Sequence, residues 1–335
     1  MFGFLFWLFF IGIIIATLQD LKRREVDNWL NLFLLIASVS YLFFEYFSYG
    51  DFIYSIVLLF FVGLSAFFYF YNGNISSGIE KQKKKYYFWL FSACLLAIII
   101  VLFFVKFFGV NDMPFFIIVA SSFLVMFVVS NLFYEGRVFA GGDTKLLFVM
   151  TAFFVGISFF DTLINIGVFL LFLMFSGSVY GIIYSFVLYI KDFKKINKEI
   201  KKELKSLVIG YWMFGIGFVL ILFGFFNLLF SLIGFFIVAI LLLYVFAKGI
   251  EKISMIKNVS GKELREGDWL VSDIKVNGKV IKADWDGLSS LNIELLKGKK
   301  KVLIKNGLPF VPAFLIAFLA YVFFKGWFLG IIFGL

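Results

Sequence analysis

The sequence predicts an all-α polytopic membrane protein with about ten transmembrane helices and a small cytoplasmic α+β module. The 335 residues are 63% hydrophobic, with a mean hydropathy of +1.03, whereas soluble globular domains are about 45–50% apolar. Apolar runs follow one another along the whole chain, which excludes a soluble protein with a single anchor. The basic residues are concentrated in alternate loops, as expected of a chain that crosses a membrane repeatedly.

A spanning helix needs about 20 apolar residues, and segments of roughly this length define the predicted spans. They are residues 2–19, 29–47, 52–71, 87–108, 114–134, 144–160, 162–190, 207–226, 228–247 and 309–333. The boundary near Asp161 and the split at Asn227 stay open, because the apolar runs there are nearly continuous. The first run lacks a basic start and a small-residue cleavage site, so we expect a retained helix rather than a signal peptide.

The distribution of basic residues predicts that both termini lie outside the cell membrane. With this orientation, 29 of the 31 Lys and Arg residues fall in or beside cytoplasmic segments, and only Lys106 and Lys325 do not. The cytoplasmic segments are the loops 20–28, 72–86, 135–143 and 191–206 and the module 249–308. The net charge of +10 then reflects topology and contact with anionic lipid on the cytoplasmic side, and we expect no nucleic-acid partner.

The lysine-rich loop at 191–206 allows two interpretations. Its lysines alternate with apolar and acidic residues, which is typical of an amphipathic helix lying on a membrane. A solvated charged loop explains the same composition, so the sequence leaves both open.

Residues 249–308 form the one sizeable soluble segment that the sequence predicts. The stretch WLVSDIKVNGKVIKA is typical of two short strands around a turn at Asn277 and Gly278. DGLSSLNIELLKG favours a short helix, and KVLIK a last strand. The predicted organisation is a transmembrane core at 1–248, this module at 249–308, and a C-terminal transmembrane helix at 309–335.

The absence of certain residue types narrows the possible chemistry. The chain has no histidine, which excludes His-dependent hydrolases and zinc proteases of the HExxH kind. Its one cysteine, Cys94, lies in an apolar run and cannot form an internal disulfide or a CxxC metal site. We therefore expect no metal and no cofactor, and we look for catalysis among the acidic and hydroxyl side chains.

Two aspartates at predicted membrane boundaries are the candidate catalytic residues. Asp20 ends the first predicted span, and Asp143 begins another behind Gly141 and Gly142. The predicted topology places both on the cytoplasmic face. Two carboxyl groups held close together cannot both ionise easily, so such a pair shares a proton. One member can then activate a water for attack on a peptide carbonyl while the other polarises the carbonyl oxygen.

The motifs around these acids resemble a known family. DLKRREVDNWL follows the first predicted helix, GGDTKLL opens another, and NGLPFVPAF at 306–314 precedes the last. Together they resemble the type IV prepilin peptidases and archaeal preflagellin peptidases, polytopic aspartic proteases of the GxGD class. In that family the first catalytic Asp begins a D-x-[KR]-x-[KR]-x-[IV] stretch, and the second closes a glycine motif followed by x-K-L. The matching positions are Asp20, Lys22, Arg24 and Val26 in the first motif, and Gly142, Asp143, Lys145 and Leu146 in the second.

The resemblance implies an endopeptidase that removes a short basic leader from membrane-embedded prepilin-like or flagellin-like precursors. It implies Asp20 and Asp143 as the catalytic residues, and Gly141, Gly142 and Lys145 as the motif around them. The chain departs from the family in having Ala140 where GxGD has its first glycine, and in an apparent extra pair of helices between the two acids. It lacks the paired CxxC motifs of the bacterial members that also methylate their product, so we expect no methyltransferase activity, and the archaeal branch fits best.

Other interpretations stay open beside the protease. A transporter or channel would suit the many helices, although the centres of the apolar segments are almost free of charge. A membrane scaffold with a docking module would leave GGDTKLL unexplained, and a signal-peptide-peptidase-like protease usually has tyrosine where this chain has Gln19. Near the site, Glu25, Asp27 and Glu135 either attract a basic leader or are ordinary interfacial charges. Lys145 either extends to the lipid head groups or tunes Asp143.

Overall fold

The computed structural model describes residues 2–47, 63, 115–276, 278–284 and 287–334. The predicted spans 52–71 and 87–108 and the loop between them therefore lie outside the described residues, except for Gly63. The chain forms two compact units, one made of Met1–Tyr180 with Pro309–Leu335 and the other of Gly181–Leu308. The C-terminal helix thus belongs to the same unit as the N-terminal helices, and the module at 249–308 shares its unit with the helices that precede it.

The first unit is built from long apolar helices and two short ones. In chain order they are α1 Phe2–Arg23, α2 Asn28–Phe47, α3 Phe115–Glu135, α4 Gly141–Val149, α5 Thr151–Phe154, α6 Phe159–Lys191, whose last residues continue into the second unit, and α11 Val311–Phe333. The second unit adds α7 Phe193–Ser206, α8 Val208–Leu222, α9 Leu228–Ile250 and α10 Ser290–Leu296.

Six helices in the described residues are long and apolar enough to cross a membrane, and a seventh span results if the bent pair α7–α8 is counted as one. The six are Gly3–Arg23, Asn28–Glu45, Ile117–Glu135, Phe159–Lys191, Leu228–Met255 and Val311–Ile332. The prediction of a helical membrane protein is therefore confirmed, but the prediction of about ten spans is not. Two of the ten fall outside the described residues, and a third, 144–160, is not a spanning helix.

The apolar segment predicted to span at 144–160 instead folds into the short helices α4 and α5. The residues Leu146–Met150 are fully buried, as is Phe154, so these side chains face protein and not lipid. A nine-residue helix followed by a four-residue one is too short to cross a hydrocarbon layer about 30 Å thick. Hydropathy alone did not reveal this, because a buried protein interior and a bilayer favour the same apolar residues.

Aromatic contacts pack the surrounding helices onto α4 and α5. Phe153 lies 6.1 Å from Phe9 of α1 and 4.9 Å from Phe318 of α11, measured between ring centroids. On the other side, Phe148 lies 5.6 Å from Phe123 of α3. Such pairs add about 0.5–1.5 kcal/mol each beyond the burial of their area. The short helices are therefore held at the centre of the unit. The start of α4 lies next to the C-terminal end of α1 and the start of α11.

In its described residues, the module at 249–308 contains the predicted α+β elements and two more strands. A three-stranded antiparallel sheet has the order β1-β5-β2, with β1 Ile256–Val259, β2 Trp269–Leu270 and β5 Val302–Lys305. The predicted hairpin is present as β3 Ile274–Val276 and β4 Lys279–Ile281, with Gly278 in the left-handed region at φ +78°. Two acidic residues of the module serve turns, since Asp268 accepts a hydrogen bond from the N–H of Arg265 and Asp273 from that of Ala283.

Two left-handed glycines in the module allow a close backbone contact that a side chain would prevent. Gly287 has φ +77°, and a Cβ at this position would overlap the backbone of Gly267. We expect Gly287→Ala to destabilise the module by about 2 kcal/mol or more, measured as faster amide hydrogen exchange over residues 256–305. The control is Gly298→Ala, where a Cβ meets nothing within 4 Å. Equal exchange in both variants would contradict this account of the contact.

Candidate active site

Asp20 is a buried carboxylate at the C-terminal end of α1. Its side chain is only 5% exposed, and its Oδ2 accepts a hydrogen bond of 2.8 Å from the backbone N–H of Val311. The two residues are 291 positions apart. This contact joins the end of α1 to the first residue of α11.

The start of α11 is suited to a negative charge. The first N–H groups of a helix have no partner within the helix and carry the positive end of its dipole. Pro312, the second residue of α11, has no N–H to offer, whereas Val311, the first residue, donates its N–H to Asp20. Its hydrogen bond offsets part of the cost of burying a carboxylate.

Asp143 is the third residue of α4 and is 8% exposed. Its Oδ2 accepts a long hydrogen bond, 3.4 Å, from the N–H of Ala140, which precedes the helix. The reciprocal half of a capping box cannot form, because Ala has no side-chain acceptor. Ala140 itself is exposed and has ordinary extended backbone angles, φ −72° and ψ 163°. The local geometry therefore accommodates Ala where the GxGD motif has glycine.

In the structure, the carboxyl groups of Asp20 and Asp143 lie close enough for the charge of one to affect the pKa of the other. Burial, and next the negative charge of Asp20, raise the pKa of Asp143 to about 7, and the hydrogen bond from the Ala140 N–H opposes both effects. Asp143 lies in α4, outside the six helices long enough to span. A pKa in this range lets the pair retain a proton up to about neutral pH, as shared-proton carboxyl chemistry requires.

The glycines of the motif act through close approach rather than through unusual backbone angles. Neither Gly141 nor Gly142 has a positive φ. The Cα of Gly142 faces the backbone of Val26, because a Cβ there would lie 3.5 Å from the Val26 nitrogen. The same position at Gly141 would lie 3.7 Å from the ring of Tyr134. Ala fits at both places, but a larger side chain at 142 would push α4 away from the loop that follows Asp20.

Aromatic side chains pack together beside the segments that carry the pair. Phe139, two residues before the glycines, is 3% exposed, and its ring lies 5.1 Å from that of Phe310 and 5.9 Å from that of Phe314. Phe310 immediately precedes Val311. The three rings thus join the segment that precedes α4 to the start of α11.

Lys145 forms a hydrogen bond with the start of α2. Its amine donates a 2.7 Å hydrogen bond to Oδ1 of Asn28, the first residue of α2. Burial lowers the pKa of Lys145, and the charge of Glu25 opposes that effect. Lys145 thus connects α4 to the α1–α2 loop and helps to position Gly142 against Val26.

Among the other acids on this face, Asp27 has a structural role. Its Oδ2 accepts hydrogen bonds of 3.1 Å from both Gln19 and Trp29, and its N–H donates 3.0 Å to Oε1 of Gln19. Arg23 lies 3.9 Å from its other oxygen. These contacts tie the end of α1 to the start of α2, across a turn in which Arg24 takes the left-handed φ of 58°. Glu25 and Glu135 are exposed.

Sequence reasoning missed several residues that shape the site. Val311 and Phe310 were part of a quoted segment but had no assigned role, and neither Phe139 nor Asn28 was singled out. The one local signal was Pro312, because proline in the first turn marks a helix start. In the described residues, no group of three or more acidic or cysteine side chains is placed to hold a metal ion.

Comparison with family models, curated proteins and solved structures finds no significant match for this chain. The resemblance to prepilin peptidases therefore depends on the motifs around Asp20 and Asp143 and on the segment NGLPFVPAF.

The electrostatic contact between the two carboxyls predicts a titration that can be measured by infrared spectroscopy. The carboxylic-acid band of Asp143 should disappear as the pH rises through about 7, and Asp143→Asn should remove it. Asp20→Asn should move its midpoint to lower pH, because a negative charge that favours the protonated form is lost. An unchanged midpoint in Asp20→Asn would show that the two groups do not interact.

The same shift predicts how stability depends on pH. The pKa of Asp143 is higher in the folded chain than its ordinary value of 3.8. Protonation of Asp143 therefore adds to the free energy of unfolding. This stabilisation is fully present below the ordinary pKa of 3.8 and is lost as the pH rises through about 7. Resistance to thermal unfolding in detergent should fall over this range in the native chain and fall less in Asp143→Asn.

Proposed function

We propose that this chain is a membrane aspartic endopeptidase that removes short basic leaders from prepilin-like or preflagellin-like precursors at the cytoplasmic face. The observation that carries the proposal is the buried carboxyl pair, in which burial and the charge of Asp20 together raise the pKa of Asp143. Two such groups around one proton are the equipment that an aspartic protease needs. The motifs that flank them support the same class of enzyme.

The surroundings of the two carboxyls favour different roles. Asp20, whose Oδ2 accepts the N–H of Val311, is the carboxylate that takes a proton from the attacking water. Asp143, which burial keeps protonated up to about neutral pH, donates its proton toward the carbonyl oxygen. The water oxygen bonds to the carbonyl carbon and gives a diol. As the C–N bond breaks, the leaving nitrogen takes the proton held by Asp20, and one hydroxyl of the diol returns a proton to Asp143. The products are a carboxyl and an amine, and the pair again holds one proton.

The position of the site suits a substrate that is itself a membrane helix. Asp20 lies in the last turn of a candidate span that ends at Arg23. A scissile bond next to it would lie at the end of the hydrocarbon layer, where a polar leader emerges from an apolar helix. Exposed Glu25 and Glu135 lie near this end, and their charge is complementary to a basic leader.

Replacing either carboxyl tests the proposal. We expect Asp20→Asn and Asp143→Asn each to reduce cleavage of a purified prepilin-like precursor by about 10³-fold or more, because groups acting as a unit are not additive. Asn keeps the shape of the side chain but cannot pass the proton. The assay is the mobility shift of the precursor on a gel, with purified enzyme in detergent.

The matched control is Asp192→Asn. Asp192 lies in the second unit and forms a surface ion pair of 3.4 Å with Lys195, an interaction that contributes about 0–1 kcal/mol. Asp27 is unsuitable as a control, because its hydrogen bonds hold the α1–α2 turn together. Full cleavage by both site variants would exclude the aspartic mechanism and favour a transporter or scaffold.

The hydrogen bond from Val311 can be removed without changing any side chain. Replacing the Val311 amide by an ester, through incorporation of the corresponding hydroxy acid, should lower kcat about tenfold or more, since a hydrogen bond to a charged group contributes about 1.5–3 kcal/mol. KM should change little, because the N–H contacts Asp20. Val311→Ala keeps the N–H and serves as the control. An ester variant with native kcat would remove Val311 from the mechanism.

A further inference from the structure

Helix α7 separates its apolar side chains from its charged ones. Ile196 is fully buried, and Ile200 is partly buried. Both face Gly249 of α9, where an added Cβ would lie 2.7 Å from Ile200 and 3.5 Å from Ile196. The glycine thus lets α7 approach α9 closely. The loop that the sequence left open between two interpretations is therefore a packed amphipathic helix.

The opposite side of α7 is a face of exposed lysines. Six lysines of the helix are exposed: Lys194, Lys195, Lys198, Lys201, Lys202 and Lys205. At about 100° per residue, all six fall within about 120° of the helix circumference. No acidic residue of α7 lies within this arc.

The acidic residues of α7 are engaged elsewhere. Lys252, beyond the end of α9, forms ion pairs with Glu199, at 3.4 Å, and with Glu203. Glu199 also lies 3.8 Å from Lys202, and Asp192, which precedes the helix, pairs with Lys195.

Four lysines remain that form no ion pair within the part of the chain that the structure describes. They are Lys194, Lys198, Lys201 and Lys205, and we call them the lysine stripe. Their spacing of four, three and four residues places them in one row along the helix, about 16 Å long at 1.5 Å per residue. Because the ion pairs of Lys252 hold the glutamates on the flank, they do not neutralise this row.

The direction of α7 favours a membrane surface as its partner. The axis of α7 makes an angle of 86° with the following apolar helix, Gly210–Phe225. That helix exposes large apolar side chains, among them Trp212 at 72%, as expected of a helix in contact with lipid. If it crosses the bilayer, α7 lies along the surface. Phe193 and Leu204, near the two ends of α7, are also exposed and apolar, as is typical of interfacial helices.

We propose that the lysine stripe is a binding site for the phosphate head groups of anionic lipids. Its four exposed ammonium groups are compact point charges suited to phosphate. An acidic lipid surface supplies such groups in the plane along which α7 runs. Nucleic acid fits less well, because neighbouring α8 presents exposed apolar side chains instead of a continuous basic surface. The site is in the second unit and does not depend on the proposed protease activity.

The test measures which lipids the full-length protein retains. Purified protein is incubated in mixed micelles containing equal amounts of phosphatidylcholine and phosphatidylglycerol, and retained lipids are quantified by mass spectrometry after gel filtration. We expect phosphatidylglycerol to be enriched about fivefold or more over phosphatidylcholine. The variant with Lys194, Lys198, Lys201 and Lys205 all changed to Gln should lose the enrichment. High salt should weaken the enrichment of the native chain, because surface charges are screened.

A matched variant controls for net charge. Lys262, Lys275, Lys279 and Lys282 are exposed lysines of the module, and their change to Gln removes the same charge. This variant should retain phosphatidylglycerol as the native chain does. The proposal would be overturned if the stripe variant retained as much phosphatidylglycerol as the native chain, or if the control variant lost as much as the stripe variant. A single-stranded oligonucleotide that displaces phosphatidylglycerol from the native chain would also overturn it, because the stripe would then bind nucleic acid in preference.

Discussion

The hydrogen bond between the Asp20 carboxylate and the N–H of Val311 constrains how the two ends of the chain meet in the first unit. A carboxylate that is 5% exposed costs several kcal/mol unless a donor stabilises it. The donor comes from the first residue of α11, 291 positions away, so α1 and α11 must meet at this end. The aromatic contacts of Phe153 with Phe9 and Phe318 hold the same helices together deeper in the unit.

The second buried acid explains why α4 begins where it does. Asp143 is brought next to Asp20 because Gly142 allows α4 to lie against Val26, and because Lys145 bonds to Asn28. The result is a pair of carboxyls with unlike surroundings. Asp20 accepts a hydrogen bond at the start of α11, whereas burial dominates the surroundings of Asp143. That arrangement stabilises the fold poorly at neutral pH, since the pKa of Asp143 is raised. Strongly shifted pKa values of this kind occur more often at functional sites than elsewhere.

Charge serves a different purpose in the second unit. The acids of α7 are paired with Lys252, and the lysine stripe remains exposed on the far side of the helix. At the carboxyl pair, burial therefore determines the protonation state of Asp143. Along α7, the acidic side chains are instead kept apart from the lysine stripe by their ion pairs with Lys252. Asp27 illustrates a third case, because its charge is used in hydrogen bonds to Gln19 and Trp29 that shape a turn. Acidic residues of similar appearance in the sequence thus have unlike roles.

The sequence by itself determined the membrane class, the candidate acids Asp20 and Asp143, and the hairpin at Gly278, because hydropathy, residue type and turn chemistry are local properties. Only the tertiary structure decided that 144–160 folds into two short buried helices instead of a span. It also decided that Val311 donates to Asp20 and that Lys145 bonds to Asn28. Hydropathy reports that a side chain avoids water, but not whether protein or lipid surrounds it. A hydrogen bond between residues 291 positions apart leaves no local pattern, since its donor is a backbone N–H that every residue except proline possesses.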